Sequence, residues 1–184
     1  MKKYLVLVFT LFLVFQLQAK VIDSTAPIGS RKNPVPIGGG YSLEVKSSDG
    51  KSKFLLTIMV HGIIRGEKAE AVVRSQNMFN PTAPDKHEFV LPMVAVMNMK
   101  DYSGEDKYIE IDQDLFEFSD SGYSHKKYYK HEIIINEPLI LDAKLYEGSM
   151  TTGLMAFFAP IGDECYLYFN GAWFELGSVH YLPK

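Results

Sequence analysis

Apolar and polar residues alternate through much of the chain, the pattern of β-strands that bury one face. From Tyr41 to Lys46, the large residues Tyr41, Leu43 and Val45 interleave with Ser42, Glu44 and Lys46, which predicts a half-buried strand. Ser47-Ser48-Asp49-Gly50 reads as a turn whose Asp-Gly pair suits positive φ. The apolar, β-branched run from Phe54 to Ile64 then predicts a second strand, paired with the first as a hairpin. Gly66 to Ser75 breaks the alternation with good helix formers, an acidic first turn and no proline. One short helix is therefore expected near residues 66–76.

Glu88 to Met99 predicts a long apolar strand in which Pro92 marks a bulge or an edge. Tyr108 to Phe118 predicts a strand with a register change near Gln113, where the alternation fails. Leu139 to Tyr146 and Met150 to Ala159 each read as one strand. Glu164 to Phe169 and Trp173 to Leu176 form a hairpin about Asn170-Gly171. The signals at Tyr123–Tyr129 and Ile133–Ile135 are weaker. Seven to nine strands at short intervals, with one helix, predict an all-β antiparallel sandwich rather than alternating strands and helices.

The amino terminus follows a different pattern. Lys2-Lys3, the apolar run from Tyr4 to Phe15 broken by Thr10, and a polar boundary ending at Ala19 describe an export signal cleaved after Ala19. The run falls short of the roughly 20 apolar residues that a membrane span needs. Leu17 stands where a small residue is preferred, so a signal retained as a membrane anchor is the alternative. No cysteine lies nearby to carry a lipid. The chain then divides into a signal at 1–19, a flexible lead at 20–32, a sandwich domain at 33–178 and a tail at 179–184. The expected location is secreted or cell-surface.

Composition narrows the function classes. At 184 residues, 47% hydrophobic and 22% charged, the chain is long enough for one domain and too apolar for a disordered one. Its formal charge of -3 has the wrong sign for an electrostatic nucleic-acid binder. A single cysteine allows neither an intrachain disulfide nor a Cys-rich zinc module. Within Cys165-Tyr166-Leu167-Tyr168-Phe169, that cysteine reads as a small buried strand residue.

The order of the pieces carries a family resemblance. Asn33-Pro34-Val35-Pro36-Ile37-Gly38 precedes a hairpin that ends Ile63-Ile64-Arg65-Gly66-Glu67-Lys68-Ala69. Pro84-Asp85-Lys86-His87-Glu88-Phe89-Val90 opens a long strand, Phe116-Glu117-Phe118-Ser119-Asp120-Ser121-Gly122 follows, and Tyr146-Glu147-Gly148-Ser149 precedes a strand ending at Pro160. This order, over roughly residues 33–177, resembles the bacterial exported immunoglobulin-like domains of unknown function found in lipoproteins and secreted proteins, a family similar to the mycobacterial immunoprotective extracellular antigen. The resemblance implies an immunoglobulin-like β-sandwich outside the cytoplasm and carries over no catalytic residue or cofactor. The missing lipobox cysteine departs from many members.

Candidate chemistry is sparse. His61, His87, His125, His131 and His180 form no HxxxH or HExxH pair, so a zinc hydrolase has no motif to stand on. A spacing of two puts Glu110, Asp112 and Asp114 on one face of a strand, where carboxylates hold a hard cation weakly; the competing reading is a solvated acidic face. Gly148-Ser149-Met150 and Gly177-Ser178-Val179-His180 lack the strand-turn-helix setting of a nucleophile, and Gly38-Gly39-Gly40 lacks the residues of a phosphate loop. Tyr123, Tyr128 and Tyr129, with Tyr166, Tyr168, Trp173 and Phe174, offer an aromatic interaction surface, against the alternative that they fill or rim the core. The expected function is an exported, non-enzymatic binding module for a protein or cell-wall ligand, with no cofactor, no nucleic acid and no membrane contact beyond an uncleaved signal. The competing class is an extracytoplasmic hydrolase or metal-dependent accessory enzyme whose site is assembled from distant residues.

Overall fold

The computed structural model describes residues 26–47, 50–120, 133–136, 139–178 and 181–182. The expected export signal with its expected cleavage after Ala19, the tyrosines Tyr123, Tyr128 and Tyr129, and His125, His131 and His180 lie outside the described residues.

Ten strands and one α-helix make up the described chain: β1 Gly40–Lys46, β2 Lys53–Arg65, α1 Gly66–Gln76, β3 His87–Asp101, β4 Ile109–Asp112, β5 Glu117–Asp120, β6 Asp142–Leu145, β7 Met150–Leu154, β8 Phe157–Pro160, β9 Cys165–Phe169 and β10 Ala172–Gly177. All pairings between these strands are antiparallel. The largest sheet runs β1-β2-β3-β7, with β8 also on β3. A second runs β10-β9-β5, and β4 pairs with β6 in a third.

The strand count exceeds the expected seven to nine because two of the expected runs divide. Residues 150–159 do not form one strand: β7 lies along Met93–Met97 and β8 along His87–Val90, both on the same side of β3. Pro92 sits at the change of neighbour. Its carbonyl accepts from the Met155 N–H in the gap between β7 and β8, so its missing N–H costs the sheet no rung. Tyr108 to Phe118 divides as well. A 3-10 turn at Gln113–Leu115 stands at the expected break and sends β4 and β5 into different sheets.

Alternation on β2 builds the core. Phe54, Leu56, Ile58 and Val60 are buried on one face, and each contributes about 1.5–3 kcal/mol. A register shift between Val60 and Gly62 moves the inward positions by one, so that Ile63 and Arg65 follow on that face. One buried cluster joins these residues to Val94 and Val96 of β3, Ile111 of β4, Phe118 of β5, and Leu167 and Phe174 of the β9–β10 pair. The other face of β3 presents Phe89 and Leu91 to Ala69 and Val73 of α1, with Phe158, Ile133 and Ile135 alongside. Gly66, at φ 63, lets the chain reverse from β2 into this helix, a conformation unfavourable for a side-chain-bearing residue.

Both ends of the described chain are tied in. Val35 bridges Phe174 in parallel, its N–H donating to Trp173 O and its carbonyl accepting from Glu175 N–H, while Trp173 N–H donates to Gly29 O. Tyr181 exchanges two backbone hydrogen bonds with Ile63. At the strand ends, the buried Arg65 donates through Nε and Nη2 to Glu88 Oε1 at 3.2 and 2.8 Å, and through Nη1 to the carbonyls of Asp163 and Gly177. One guanidinium thereby holds β2, β3, the β8–β9 turn and the end of β10 together.

Candidate functional site

An open cleft of about 960 Å³ lies where the β1–β2 turn, the loop before β4 and the β9–β10 turn meet. β4 supplies its outer wall. Ile109 and Ile111 point into the core, so the intervening parity puts Glu110 and Asp112 outward, with Tyr108 in line just before the strand. Across the ladder, Glu110 stands opposite Lys144 and Ile109 opposite Leu145, which brings Tyr146 beside Tyr108. Their rings are 5.6 Å apart at 61°. Tyr168 and Asn170 close the far side, where Asn170 Nδ2 donates to Glu44 O.

The Asn170-Gly171 turn positions that side. Both residues take positive φ, 43 and 90, which matches the twist of the flanking strands. The loop before β4 is shaped by Asp101, whose carboxylate accepts from Ser103 N–H, Ser103 Oγ and Lys107 N–H at 2.7–2.9 Å. These bonds hold the buried Asp101 below the usual carboxylate pKa, with the Ser103 hydroxyl the largest cause. They fix the approach of Asp106, Lys107 and Tyr108 to the cleft.

Among the described residues of the lining, Asp106, Glu110, Asp112 and Glu117 stand with Lys46 and Lys107. Lys107 Nζ lies 2.7 Å from Glu105, outside the lining. Lys144 sits at the rim, 3.4 Å from Glu110 and 4.7 Å from the Tyr108 ring centroid. Its pKa is raised, by hydrogen bonding to Tyr108 first and by Glu110 after that.

The acidic trio expected on one strand face is not arranged that way. Glu110 and Asp112 share the outer face of β4, but Asp112 Oδ1 accepts the Asp114 N–H at 2.6 Å and starts the 3-10 turn, which takes Asp114 off the strand. Among the described residues, no three His, Cys, Asp or Glu side chains come together as a metal-ligand set. His61 lies on β2, and His87, at the start of β3, holds Asp85 O through Nδ1, so the two stand far apart along their ladder. Ser149 donates to Tyr146 O within its own turn. Cys165 is fully buried, and burial pushes its thiol up to about 12.

The aromatic residues of the last hairpin separate into two groups. Phe174 is a core side chain, whereas Tyr166 and Tyr168 face outward on β9 and pack against Trp173, whose ring also carries Arg31 at 5.0 Å. Tyr108 and Tyr146 were not singled out by motif. The available signal was parity: each is an aromatic residue in a position that its strand turns outward.

Comparison of the chain with protein-family models, curated proteins and solved structures finds no match.

Proposed function

We propose that the protein is an exported, non-enzymatic binding module of the immunoglobulin-like β-sandwich kind, and that the cleft beside β4 receives its ligand. The observation that carries this reading is the cleft itself: an open concavity, framed by turns on a hydrogen-bonded β scaffold, with tyrosines and carboxylates in its lining. The sandwich assignment draws support from the larger buried cluster, to which all three sheets contribute. Export draws support from the sequence of residues 1–19. A binding role fits the chemistry better than hydrolysis. The buried thiol is a poor nucleophile, and the Ser149 hydroxyl donates to the Tyr146 carbonyl within its own turn.

The test is to mix the purified protein with cell-wall fragments and with surface-protein extract while following the tyrosine signals by NMR. Binding at the cleft shifts Tyr108 and Tyr146 and is weakened by Tyr146→Ala. Product release from the fragments by the protein alone would replace this reading with the hydrolase one.

A further inference from the structure

The lining of the cleft also specifies the charge of what enters, an inference that rests on the cleft being the ligand site. Tyrosine faces are electron-rich and attract cations. Here Tyr108 and Tyr146 stand side by side with Glu110 and Asp112 along the same wall, and among the described residues of the lining carboxylates outnumber lysines. An anionic ligand meets repulsion there, whereas a cationic one finds complementary charge and a ring to lie on.

The protein already contains such an arrangement. The Lys144 ammonium lies 4.7 Å from the Tyr108 centroid and 3.4 Å from Glu110 Oε1, and is itself well exposed to solvent. Ring and carboxylate together select an alkylammonium group at this corner.

We propose that the cleft binds an organic ammonium ion, primary or quaternary, with its charge facing Glu110 and Asp112, its alkyl groups against Tyr108 and Tyr146, and Lys144 as its internal competitor. The ligand's ammonium takes the place that Lys144 holds in the free protein, and the lysine side chain swings toward solvent. No covalent step is involved. Because Lys144 and the ligand compete for one corner, removal of the lysine strengthens binding.

The experiment titrates choline and Nα-acetyl-lysine methylamide into the purified protein, with assigned tyrosine ring signals as the readout. The control is the uncharged dimethylbutanol that replaces the choline nitrogen with carbon. Both ammonium probes shift Tyr108 and Tyr146, and the neutral isostere does not at equal concentration. Lys144→Met tightens choline binding about threefold, and Tyr146→Ala weakens it about threefold while Tyr146→Phe retains it, the scale of an exposed cation–π contact. Equal shifts from the neutral isostere, or unchanged affinity in Lys144→Met, overturn the ammonium assignment and leave the cleft reading standing. If ammonium probes do nothing while wall fragments or surface extract move the same signals, the ligand class is wrong and the module survives. If none of them moves those signals, both fall. Thermal melts of each variant establish that the fold is intact.

Discussion

The backbone of Leu141 passes directly over Gly153, so closely that a Cβ at position 153 would lie 2.5 Å from both Leu141 Cα and Leu141 N. The contact arises where residues 139–141 cross β7, with Leu154 N–H donating to Leu139 O and Leu141 N–H donating to Leu154 O. Both neighbours are backbone atoms, so neither can swing aside. Gly153→Ala therefore forces the two segments apart and lowers stability by about 1–3 kcal/mol, read as a lower midpoint in urea. Because this crossing leads into β6 and Tyr146, the same variant shifts the Tyr146 ring signals.

The ion pair between Arg65 and Glu88 behaves differently from the exposed Lys53–Glu44 pair. The Arg65 and Glu88 side chains are 3% and 14% exposed, against 47% and 50% for the surface pair. Glu88→Ala leaves a buried guanidinium without its carboxylate and costs about 3–5 kcal/mol, whereas Glu44→Ala costs about 1 kcal/mol or less. Denaturant unfolding of the two variants measures the contrast. Equal losses would mean that the carbonyls of Asp163 and Gly177 satisfy Arg65 on their own.

Cys165 remains a thiol through the ordinary pH range. Its ordinary value of 9.0 is pushed up to about 12 by burial, only partly opposed by the Arg65 guanidinium. At pH 8 the folded protein thus holds about a thousandfold less thiolate than the unfolded chain, and a thiol reagent reacts promptly only after urea is added. The linkage has one sign. With the folded value above the unfolded one, this contribution to stability is full below pH 9 and is lost as pH rises through 12. Rapid labelling of the native protein at pH 8 would contradict that burial.

Local features of this fold were readable from residues, and features set by distant neighbours were not. The β1–β2 hairpin, the helix beginning at Gly66 and the Asn170-Gly171 turn each depend on a short stretch of chain, and each stands where alternation and turn chemistry put it. The division of residues 150–159 between β7 and β8 depends on β3, more than fifty residues upstream, and alternation alone is blind to it. The cleft shows the same limit. Glu110 and Asp112 were visible as a pair with a spacing of two, but Tyr146, Tyr168 and Asn170 join them only through the pairing of β4 with β6 and of β5 with β9. Asp114 left the trio because a neighbouring carboxylate captured its backbone N–H, a competition that residue spacing does not reveal.

The loop that leads into the cleft carries its own acid sensitivity. Asp101 titrates below its ordinary 3.8, chiefly because the Ser103 hydroxyl donates to its carboxylate. A depressed value stabilises the fold above the unfolded pKa and is lost as pH falls through the folded one. Ser103→Ala raises the Asp101 pKa toward the ordinary value, so the loop loosens at a higher pH on acidification. A carboxyl-carbon NMR titration of Asp101 reads this shift, and an unmoved titration would assign the depression to the backbone N–H groups of residues 103 and 107 instead.

The bridge between Val35 and Phe174 also bears on how the protein comes into being. A ribosome that has finished Val35 must make nearly all the remaining described chain before that residue finds its partner, and the Ile63–Tyr181 bridge closes later still. Such distant closures make for slow folding. The nascent chain can form its first hairpin early, but the seam that seals the core waits for residues made well over a hundred positions after Val35. Shortening the carboxyl end to before Trp173 would leave Val35 and Gly29 without their rungs, so the core is sealed only once the β9–β10 hairpin has left the ribosome.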